Sequence, residues 1–420
     1  MKKLLVWLVC LMLVFSVAAC TAPQEVSTSS SGASQPAGQT PGSSTPAVSS
    51  ETSLTAEDLP VVRIGFCPPE ISEVYEIVRE WLDAAVEDAK AAGFKVEVLQ
   101  KDVPDLTPAL QIDAVENLLA ADINVLLFCP ADPDTIIPVL QQCNEAGVKL
   151  VCINQLEEFP GSEYDEATDT YKSEDAVVVD SFIGYYHYTA GQLCGYEMLD
   201  ALGGPGVLGE GTKVDVPQEA SLDLAFWEDT YKDFDWSSIT AKVAIVSGIS
   251  GHSHTNSRTN GFLDVVKKCP NVEVVSTLYA DFLRVNAIEC TENILQANAE
   301  LDGIYGVSAE TGIGISIACE NAGRLDDILI TCMDGTTSSV DSVLQGKIAS
   351  DTWLGFPDWG WYGAYFSVRA AMGLPIEHYF DINTRSIIQA NTTNFYPNTL
   401  LPALDWEGTM KEALEKAANG

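Results

Sequence analysis

Acidic and amide side chains recur in this chain directly after short apolar runs. Asp132 follows the run that ends at Cys129, Asn154 and Gln155 follow the next run, and Asp334 closes a later one. Carboxylates and amides exchange the hydrogen bonds that ligand hydroxyls require, and aromatic rings near such groups pack on C–H surfaces. The chemistry that this pattern favours is the binding of a polar, hydroxyl-rich small molecule such as a sugar or a polyol.

Motifs for catalysis or for a cofactor are missing from the sequence. The chain has no GxSxG nucleophile turn, no HExxH zinc motif and no GxxxxGK[ST] phosphate loop. Gly312 and Gly314 are only a fragment of a dinucleotide fingerprint, within a predicted helix. His252 and His254 lack a third metal ligand at a suitable spacing, so a polar hinge loop is the simpler interpretation. We therefore predict a protein that is not an enzyme and uses no metal and no cofactor.

The amino terminus has the parts of a secretory signal. Lys2 and Lys3 precede an apolar run over residues 4–17, and two alanines then lead to Cys20. Small residues before a cysteine are the bacterial lipoprotein pattern, which predicts a signal peptide at 1–19, acylation of Cys20 and an extracytoplasmic location on the cell membrane. A retained transmembrane helix is the alternative, but the run is shorter than the roughly 20 apolar residues that spanning requires.

Residues 20–60 differ in composition from the rest of the chain. From Thr21 to Pro60 they are rich in Ser, Thr, Pro, Ala and Gly and contain no Lys or Arg. Such a segment cannot bury enough apolar area to offset its ordering entropy, so it is predicted to be a flexible tether. The remainder is longer than a single hydrophobic core usually supports, which predicts two lobes.

The chain is strongly acidic, with 60 acidic and 22 basic residues and a formal net charge of −38. Nucleic acid would repel such a polyanion, so it is excluded as a partner. Anionic lipid would not attract it either, so membrane association is expected to depend on the lipid anchor. The charge itself is interpreted as a solvated surface that keeps an exported protein soluble.

Nine cysteines follow Cys20, and none of them forms a CxxC pair. Most lie inside apolar runs such as 124–129 and 149–153. An odd number in such positions predicts buried thiols rather than a disulfide framework or a zinc site.

Short apolar runs alternate with amphipathic segments from Val61 onward. A strand at 61–67, a helix at 72–92 and a strand at 94–99 begin the pattern, which restarts with a strand at 242–247. Strands that alternate with helices predict parallel sheets covered on both faces. The expected fold class is therefore α/β, with two similar doubly wound parallel-sheet lobes.

Several segments resemble the type I periplasmic-binding-protein family, in its ribose/galactose-type sugar-binding branch. They are Ser257–Phe262, Ala280–Phe282 and Met333–Thr336, and the helix end Gly346–Ala349 also fits. The resemblance covers roughly residues 61–390 and rests on the order and spacing of these segments together.

The resemblance implies two lobes joined by a multi-strand hinge. The first lobe is expected to comprise 61–184 plus 355–385, and the second 185–354 plus 386–420. Chain crossovers near Tyr185, Gly355 and 382–390 are expected to form the hinge. The acidic insertions at 156–181 and 203–240 have no predicted role.

The resemblance also implies roles for individual residues. Tyr75 and Phe282 match aromatics that stack on the sugar, Arg258 matches an arginine that contacts its oxygens, and Asp334 matches a carboxylate that accepts its hydroxyls. Asp334 could instead cap the following helix, and the two aromatics could be core residues. The predicted ligand-binding set is Tyr75, Asp132, Asn154, Gln155, Arg258, Phe282, Ser308, Asp334, Trp353 and Trp359.

Departures from the family pattern leave the exact ligand open. Cys129 and Gly355 stand where an amide is common, Ser308 stands where an Asn is common, and Trp353 and Trp359 add aromatic bulk. A simple sugar, a modified sugar, a polyol or a furanosyl signal molecule all fit such a pocket.

The function implied by the resemblance is capture of a sugar between the lobes and its delivery to an ABC importer. The expected partners are the small molecule, the transporter permease and, through the lipid anchor, the membrane, and the protein is expected to be a monomer. A subunit that presents the liganded form to a membrane receptor is the alternative, because it needs the same closing cleft. Because Arg258 and Asp334 largely neutralise each other, a neutral ligand is favoured.

Overall fold

The computed structural model describes residues 54–208, 220–396, 399 and 401–419. The predicted signal peptide, Cys20 and nearly all of the tether lie outside the described residues. None of the described helices is long and apolar enough to cross a membrane.

Fourteen strands make up the sheets of the described chain. They are β1 (Val62–Cys67), β2 (Val96–Gln100), β3 (Val125–Phe128), β4 (Lys149–Ile153), β5 (Tyr164–Asp165), β6 (Thr170–Tyr171), β7 (Ser181–Gly184), β8 (Thr240–Ser247), β9 (Asn271–Tyr279), β10 (Gly303–Gly306), β11 (Leu329–Asp334), β12 (Ser350–Trp353), β13 (Tyr379–Asp381) and β14 (Arg385–Ile388).

Eleven α-helices alternate with these strands in the part of the chain that the structure describes. They are α1 (Glu73–Ala91), α2 (Pro108–Ala120), α3 (Ile137–Glu145), α4 (His187–Ala201), α5 (Leu224–Thr230), α6 (Ser253–Val266), α7 (Arg284–Ala297), α8 (Ala309–Asn321), α9 (Thr337–Leu344), α10 (Phe356–Ala371) and α11 (Trp406–Asn419). Two short 3₁₀ turns add Ala56–Asp58 and Thr392–Asn394.

Two six-stranded sheets form the core, and their strand orders correspond. The first runs β13-β7-β4-β3-β1-β2 and the second β14-β12-β11-β10-β8-β9. All neighbouring strands are parallel except β14, which pairs antiparallel with β12. Helices cover the sheets, because each parallel connection must cross from one end of a strand to the other. The predicted fold class of two similar doubly wound lobes is confirmed.

The chain passes between the two sheets at three places. It leaves the first sheet after β7, returns between β12 and α10, and leaves again between β13 and β14. These positions coincide with the expected crossovers near Tyr185, Gly355 and 382–390. That the three segments act as a hinge remains a proposal.

The last helix, α11, packs on the first lobe. The Trp406 ring meets the rings of Phe94 and Tyr365 at centroid distances of 6.0 and 5.1 Å, and Arg369 pairs with Glu412 at 2.9 Å. The sequence analysis assigned 386–420 to the second lobe. The lobe boundaries stay a proposal, and these contacts favour a first lobe that includes α11.

Helices α4 and α6 approach each other closely in the second lobe through two glycines. A Cβ at Gly191 would overlap the carbonyl oxygen of Arg258, and a Cβ at Gly261 would overlap that of Tyr188. Any side chain at either position would therefore push the two backbones apart. The contact holds the segment that carries Arg258 against the start of α4.

All nine described cysteines are free thiols, and eight are buried. Cys290 on α7 is the partly exposed exception. The prediction of thiols in the core rather than a disulfide framework is confirmed for the eight.

Candidate ligand-binding site

A cavity of about 120 Å³ lies between the two sheets, at the carboxyl ends of their strands. Ligands of open parallel sheets gather at this edge. The first lobe contributes Pro69, Glu70, Ser72, Glu73, Val74, Tyr75, Leu106, Cys129, Pro130, Ala131, Asn154, Phe356 and Trp359. The second lobe contributes His252, His254, Arg258, Phe282, Ser308, Ala309, Glu310, Asp334 and Thr336.

Most of the predicted ligand-binding residues come together around this cavity. Those that line it are Tyr75, Asn154, Arg258, Phe282, Ser308, Asp334 and Trp359. They come from both lobes and are far apart in sequence, so only the tertiary fold assembles them. Their contact with a ligand remains a proposal.

Asp132 and Gln155 do not line the cavity. The Asp132 carboxylate accepts hydrogen bonds from the backbone N–H groups of Asp134 and Thr135 at 3.1 and 2.8 Å, so it stabilises a turn. Gln155 is buried, and its Oε1 lies 3.0 Å from Nε2 of His254. Its amide therefore joins the lobes beside the cavity.

Trp353 also lies outside the cavity. The centroid of its ring lies 5.1 Å from that of Phe395. The Arg385 guanidinium lies 5.9 Å from the centroid of the Trp353 ring. Protein groups therefore cover its aromatic surface, and it adds no bulk to the cavity wall.

Arg258 forms hydrogen bonds to several protein groups in the second-lobe wall. Its Nε donates to Nδ1 of His187 at 3.3 Å, its Nη1 to the carbonyl of Val307 at 2.9 Å, and its Nη2 to the hydroxyl of Tyr185 at 2.5 Å. Its Nη1 also lies 3.8 Å from Oδ1 of Asp334. Since a guanidinium has five N–H donors, two remain for a ligand after these bonds.

Asp334 combines a structural and a recognition geometry. Its Oδ2 accepts the N–H of Ala309 at the first turn of α8, at 2.8 Å. Burial raises its pKa to about 7, against the lowering effect of Arg258. Thr336, rather than Asp334, caps the following helix, because its side chain accepts the N–H of Ser339. The second carboxylate oxygen is thus left to Arg258 and to a ligand.

Aromatic rings enclose the cavity from both lobes. Phe282 has a positive φ of 60°, and its ring lies so close to Gly248 that a Cβ there would overlap it. The Arg258 guanidinium lies 5.8 Å from the centroid of that ring. Tyr75 and Trp359 are 7% and 1% exposed. Aromatic side chains from both lobes therefore make up the apolar part of the cavity wall.

Four residues of the cavity wall carry a buried polar side-chain atom without a hydrogen-bond partner in the described structure. The atoms are Ser72 Oγ, Asn154 Oδ1, His252 Nδ1 and Trp359 Nε1. A buried polar group without a partner costs about 1–3 kcal/mol. A ligand that supplies these hydrogen bonds would therefore stabilise the site.

Hydrogen bonds join the lobes across the cleft. Burial lowers the pKa of His254 to about 3, so its ring is neutral and Nε2–H donates to Oε1 of Gln155. The Ser338 hydroxyl donates to Glu73 at 2.8 Å. The described conformation is therefore one in which the two lobes are in contact.

Histidines cluster on the second-lobe side of the cleft. The rings of His187 and His254 stack at 3.9 Å, and those of His252 and His254 meet at 5.1 Å. Burial lowers the pKa of all three, so they are neutral near pH 7. Across residues 54–208, 220–396 and 401–419, no group of three or more His, Cys, Asp or Glu could hold a metal ion.

Fifteen wall residues were not among the predicted ligand-binding residues, and they include Glu70, Cys129, His252, His254 and Phe356. Of these five, all but Phe356 come shortly after the carboxyl end of β1, β3 or β8, the edge at which parallel sheets bind ligands. The two histidines were interpreted as a polar hinge loop, and Cys129 only as a departure from a family pattern. Phe356 follows β12 and begins α10, and neither element was predicted from the sequence.

A family model described as periplasmic binding protein domain matches residues 64–375. A ribose import binding protein of Bacillus subtilis (strain 168) is 24% identical over 263 residues, which is 63% of this chain and 67% of the relative. A D-allose-binding periplasmic protein of Escherichia coli (strain K12) is 28% identical over 109 residues. That match spans 26% of this chain and only about a third of the relative, 35%.

Solved structures share the fold. An ABC transporter periplasmic solute binding protein from Actinobacillus succinogenes 130z, with bound D-allose, superposes with a TM-score of 0.62 at 18% identity, over 80% of this chain and 100% of that one. An ABC transporter solute binding protein from Bacillus halodurans C-125, with bound myo-inositol, superposes with a TM-score of 0.60 at 18% identity. The superposition covers 80% of this chain and 96% of that one.

Proposed function

The chain belongs to the periplasmic binding protein domain family, and we propose that it is an extracytoplasmic solute-binding lipoprotein. It captures a sugar or a sugar-like polyol between its lobes and delivers it to the permease of an ABC importer. It acts as a monomer, held at the membrane by acylated Cys20.

The observation that carries the proposal is the cavity between the lobes. Its walls combine a buried guanidinium and carboxylate, Arg258 and Asp334, with the aromatic rings of Tyr75, Phe282 and Trp359. Such a site offers hydrogen bonds to hydroxyls and flat surfaces to C–H groups, which are the two parts of a sugar. The paired opposite charges favour a neutral ligand.

The relatives support the same class of ligand. The curated relatives are named for ribose import and D-allose binding, and the two superposed structures hold D-allose and myo-inositol. All of these molecules are hydroxyl-rich. The differences in the walls, Cys129 above all, leave the individual ligand to be measured.

A thermal-shift screen against monosaccharides, polyols and nucleosides tests the proposed ligand class. Ligand at about 100 times its dissociation constant should stabilise the protein by about 2.7 kcal/mol. Stabilisation by nucleosides alone, or by no compound of the three classes, would contradict the proposal.

Closure around the ligand follows from the contacts between the lobes. Ligand touches both walls only when the cleft is shut, so binding should shift an open–closed equilibrium about the three crossovers. Solution scattering should report a smaller radius of gyration at saturating ligand. Equal dimensions with and without ligand would count against this mechanism.

The anchor is tested separately from the ligand. Cys20→Ala should leave the protein unprocessed or release it into the medium, because no acyl chain can then be attached. Unchanged processing and membrane association in that variant would rule out the lipoprotein assignment.

A further inference from the structure

The corner of the first-lobe wall around Cys129 has few groups that could form a hydrogen bond to a ligand. Cys129 follows β3, lines the cavity and is 2% exposed. Its Sγ accepts a hydrogen bond from Nδ2 of Asn154 at 3.4 Å and lies 3.8 Å from the carbonyl of Pro130. The Tyr75 side chain, in the same buried cluster, is a further hydrogen-bond partner of the thiol. The sulfur is therefore already engaged by protein groups.

The chemical state of Cys129 makes this corner nearly apolar. Burial raises the pKa of the thiol to about 11, so it is uncharged at neutral pH. A neutral thiol is a weak donor and a weak acceptor and behaves as a small apolar group. A ligand hydroxyl placed against it would leave water without an equivalent hydrogen bond.

Asn154 supplies the strong polar atom of this corner. Its Nδ2 is used by Cys129, while its Oδ1 has no partner among the described residues. An amide oxygen only accepts hydrogen bonds, so it calls for one O–H donor from the ligand. The corner thus presents one unpartnered acceptor, suited to a ligand hydroxyl, beside a thiol that forms only weak hydrogen bonds.

We propose that the ligand is a deoxy sugar, or another polyol with one deoxygenated carbon, and that Cys129 selects it. The CH₃ or CH₂ group lies against Cys129 and Tyr75, and a neighbouring hydroxyl donates to Asn154 Oδ1. The remaining hydroxyls face Arg258 and Asp334 in the opposite wall. This inference rests on the proposed function and names the substrate class of the same cavity.

Calorimetric titration with sugars that differ by one hydroxyl tests the inference. Two starting pairs are D-fucose with D-galactose and L-rhamnose with L-mannose, in which the first sugar lacks one hydroxyl of the second. The sugar that binds most tightly in the screen is then compared with its mono-deoxy analogues or, if it is itself a deoxy sugar, with its hydroxylated parent. At one position the deoxygenated member should bind about tenfold or more tightly, as expected for a small group in an apolar pocket. Weaker binding after removal of the hydroxyl at every position overturns the inference and leaves sugar binding intact. No binding of any sugar overturns the proposed function with it.

Cys129 variants test the residue assignment. Cys129→Ser places a hydroxyl in the corner and should reduce the preference for the deoxygenated member about tenfold. Cys129→Ala removes the thiol without adding a polar group and should keep the preference for the deoxygenated sugar. This variant also tests the assignment if the serine variant does not fold. Cys290→Ser, at the partly exposed thiol of α7 outside the wall, is the matched control and should keep it as well. An unchanged preference in Cys129→Ser, or its loss in Cys129→Ala, contradicts the assignment.

Discussion

The two lobes share a strand order but differ in how their cavity walls treat polar groups. In the second lobe, Arg258 and Asp334 are bound by protein atoms before any ligand arrives. In the first lobe, Asn154 Oδ1 and Trp359 Nε1 are buried without a partner. His252 Nδ1 is the exception on the second-lobe side. The second-lobe wall is therefore preorganised, and we expect a ligand to supply the missing partners in the first-lobe wall.

Arg258→Ala should have the largest effect if this contrast holds. The variant should lose about 3–5 kcal/mol of unfolding free energy, because the buried groups that Arg258 bonds, His187, Val307 and Tyr185, are left without that partner, and it should also lose ligand binding. Chemical denaturation and calorimetric titration measure the two losses separately.

Arg284→Ala is the matched control for that variant. Arg284 pairs with Glu310 at the same end of the sheet, but their side chains are 41% and 40% exposed. Such a surface pair contributes about 0–1 kcal/mol. Equal stability losses in the two variants would break the contrast between a preorganised wall and an ordinary surface.

Glu197→Gln examines the buried polar groups behind the second-lobe wall. Glu197 accepts hydrogen bonds from the hydroxyls of Ser350 and Thr352 at 2.7 and 3.0 Å, and burial raises its pKa from 4.5 to about 7. Between these pH values the folded chain keeps a proton that the unfolded chain releases, so stability falls as the pH rises through this window.

The glutamine variant cannot titrate and should escape this loss, which is on the order of 3 kcal/mol. Denaturation series at pH 4 and pH 8 measure the difference between the variant and the parent chain. Glu228→Gln, at an exposed position of α5, is the control and should follow the parent profile. A parent profile that rises with pH relative to Glu197→Gln would contradict the proposed burial effect.

Trp359→Phe probes the first-lobe wall. Removing a buried N–H that has no partner should leave the stability of the unliganded protein equal or raise it by up to about 1 kcal/mol. Ligand affinity should fall about five- to tenfold, because one hydrogen bond to the ligand is lost.

Trp353→Phe is the control, since Trp353 Nε1 is also buried without a partner but lies outside the cavity. It should affect stability similarly and leave affinity unchanged. If both tryptophan variants bind as the parent does, the first-lobe wall is not completed by ligand.

The smallest effect expected is a pH dependence of binding through His254. In the closed cleft, burial and the neighbouring His252 and Arg258 keep its pKa near 3. In an open cleft the pKa returns towards about 6.5, so below that value closure must expel a proton. Affinity should therefore fall as the pH falls, by about threefold from pH 7.5 to about pH 6.1.

His254→Gln should remove most of this dependence, because its amide can still donate to Gln155 but does not titrate. His378→Gln is the control, since His378 bonds Glu158 in the first lobe and does not line the cavity. Affinity that rises on acidification, or a dependence that disappears in the His378 variant, would contradict a role for the second-lobe histidines.

Helices with one buried face could be predicted closely from the sequence. The helix predicted at 72–92 is found at Glu73–Ala91. Helices α4 and α10 were not predicted. Most of their residues are buried, so their sequences lack the alternation of apolar and polar positions that marks a surface helix.

Polar residues that follow apolar runs in the sequence pointed to the cavity, but the sequence did not show which of two neighbouring residues lines it. Asn154 lies just past the end of β4 with a positive φ of 79°, and of the two neighbours Asn154 and Gln155 only Asn154 lines the cavity. Trp353 was expected to add bulk there but packs against Phe395 instead. Which neighbour faces a ligand depends on packing between distant segments, and a single sequence contains no direct measure of it.

The reciprocal contact of α4 and α6 at Gly191 and Gly261 has a consequence for directed evolution of this protein. One added methyl at either glycine would separate the helices and carry Arg258 away from Tyr185. Libraries that alter this pair should yield mostly inactive clones. New ligand preferences should be more accessible at Cys129 and Trp359, whose side chains line the cavity.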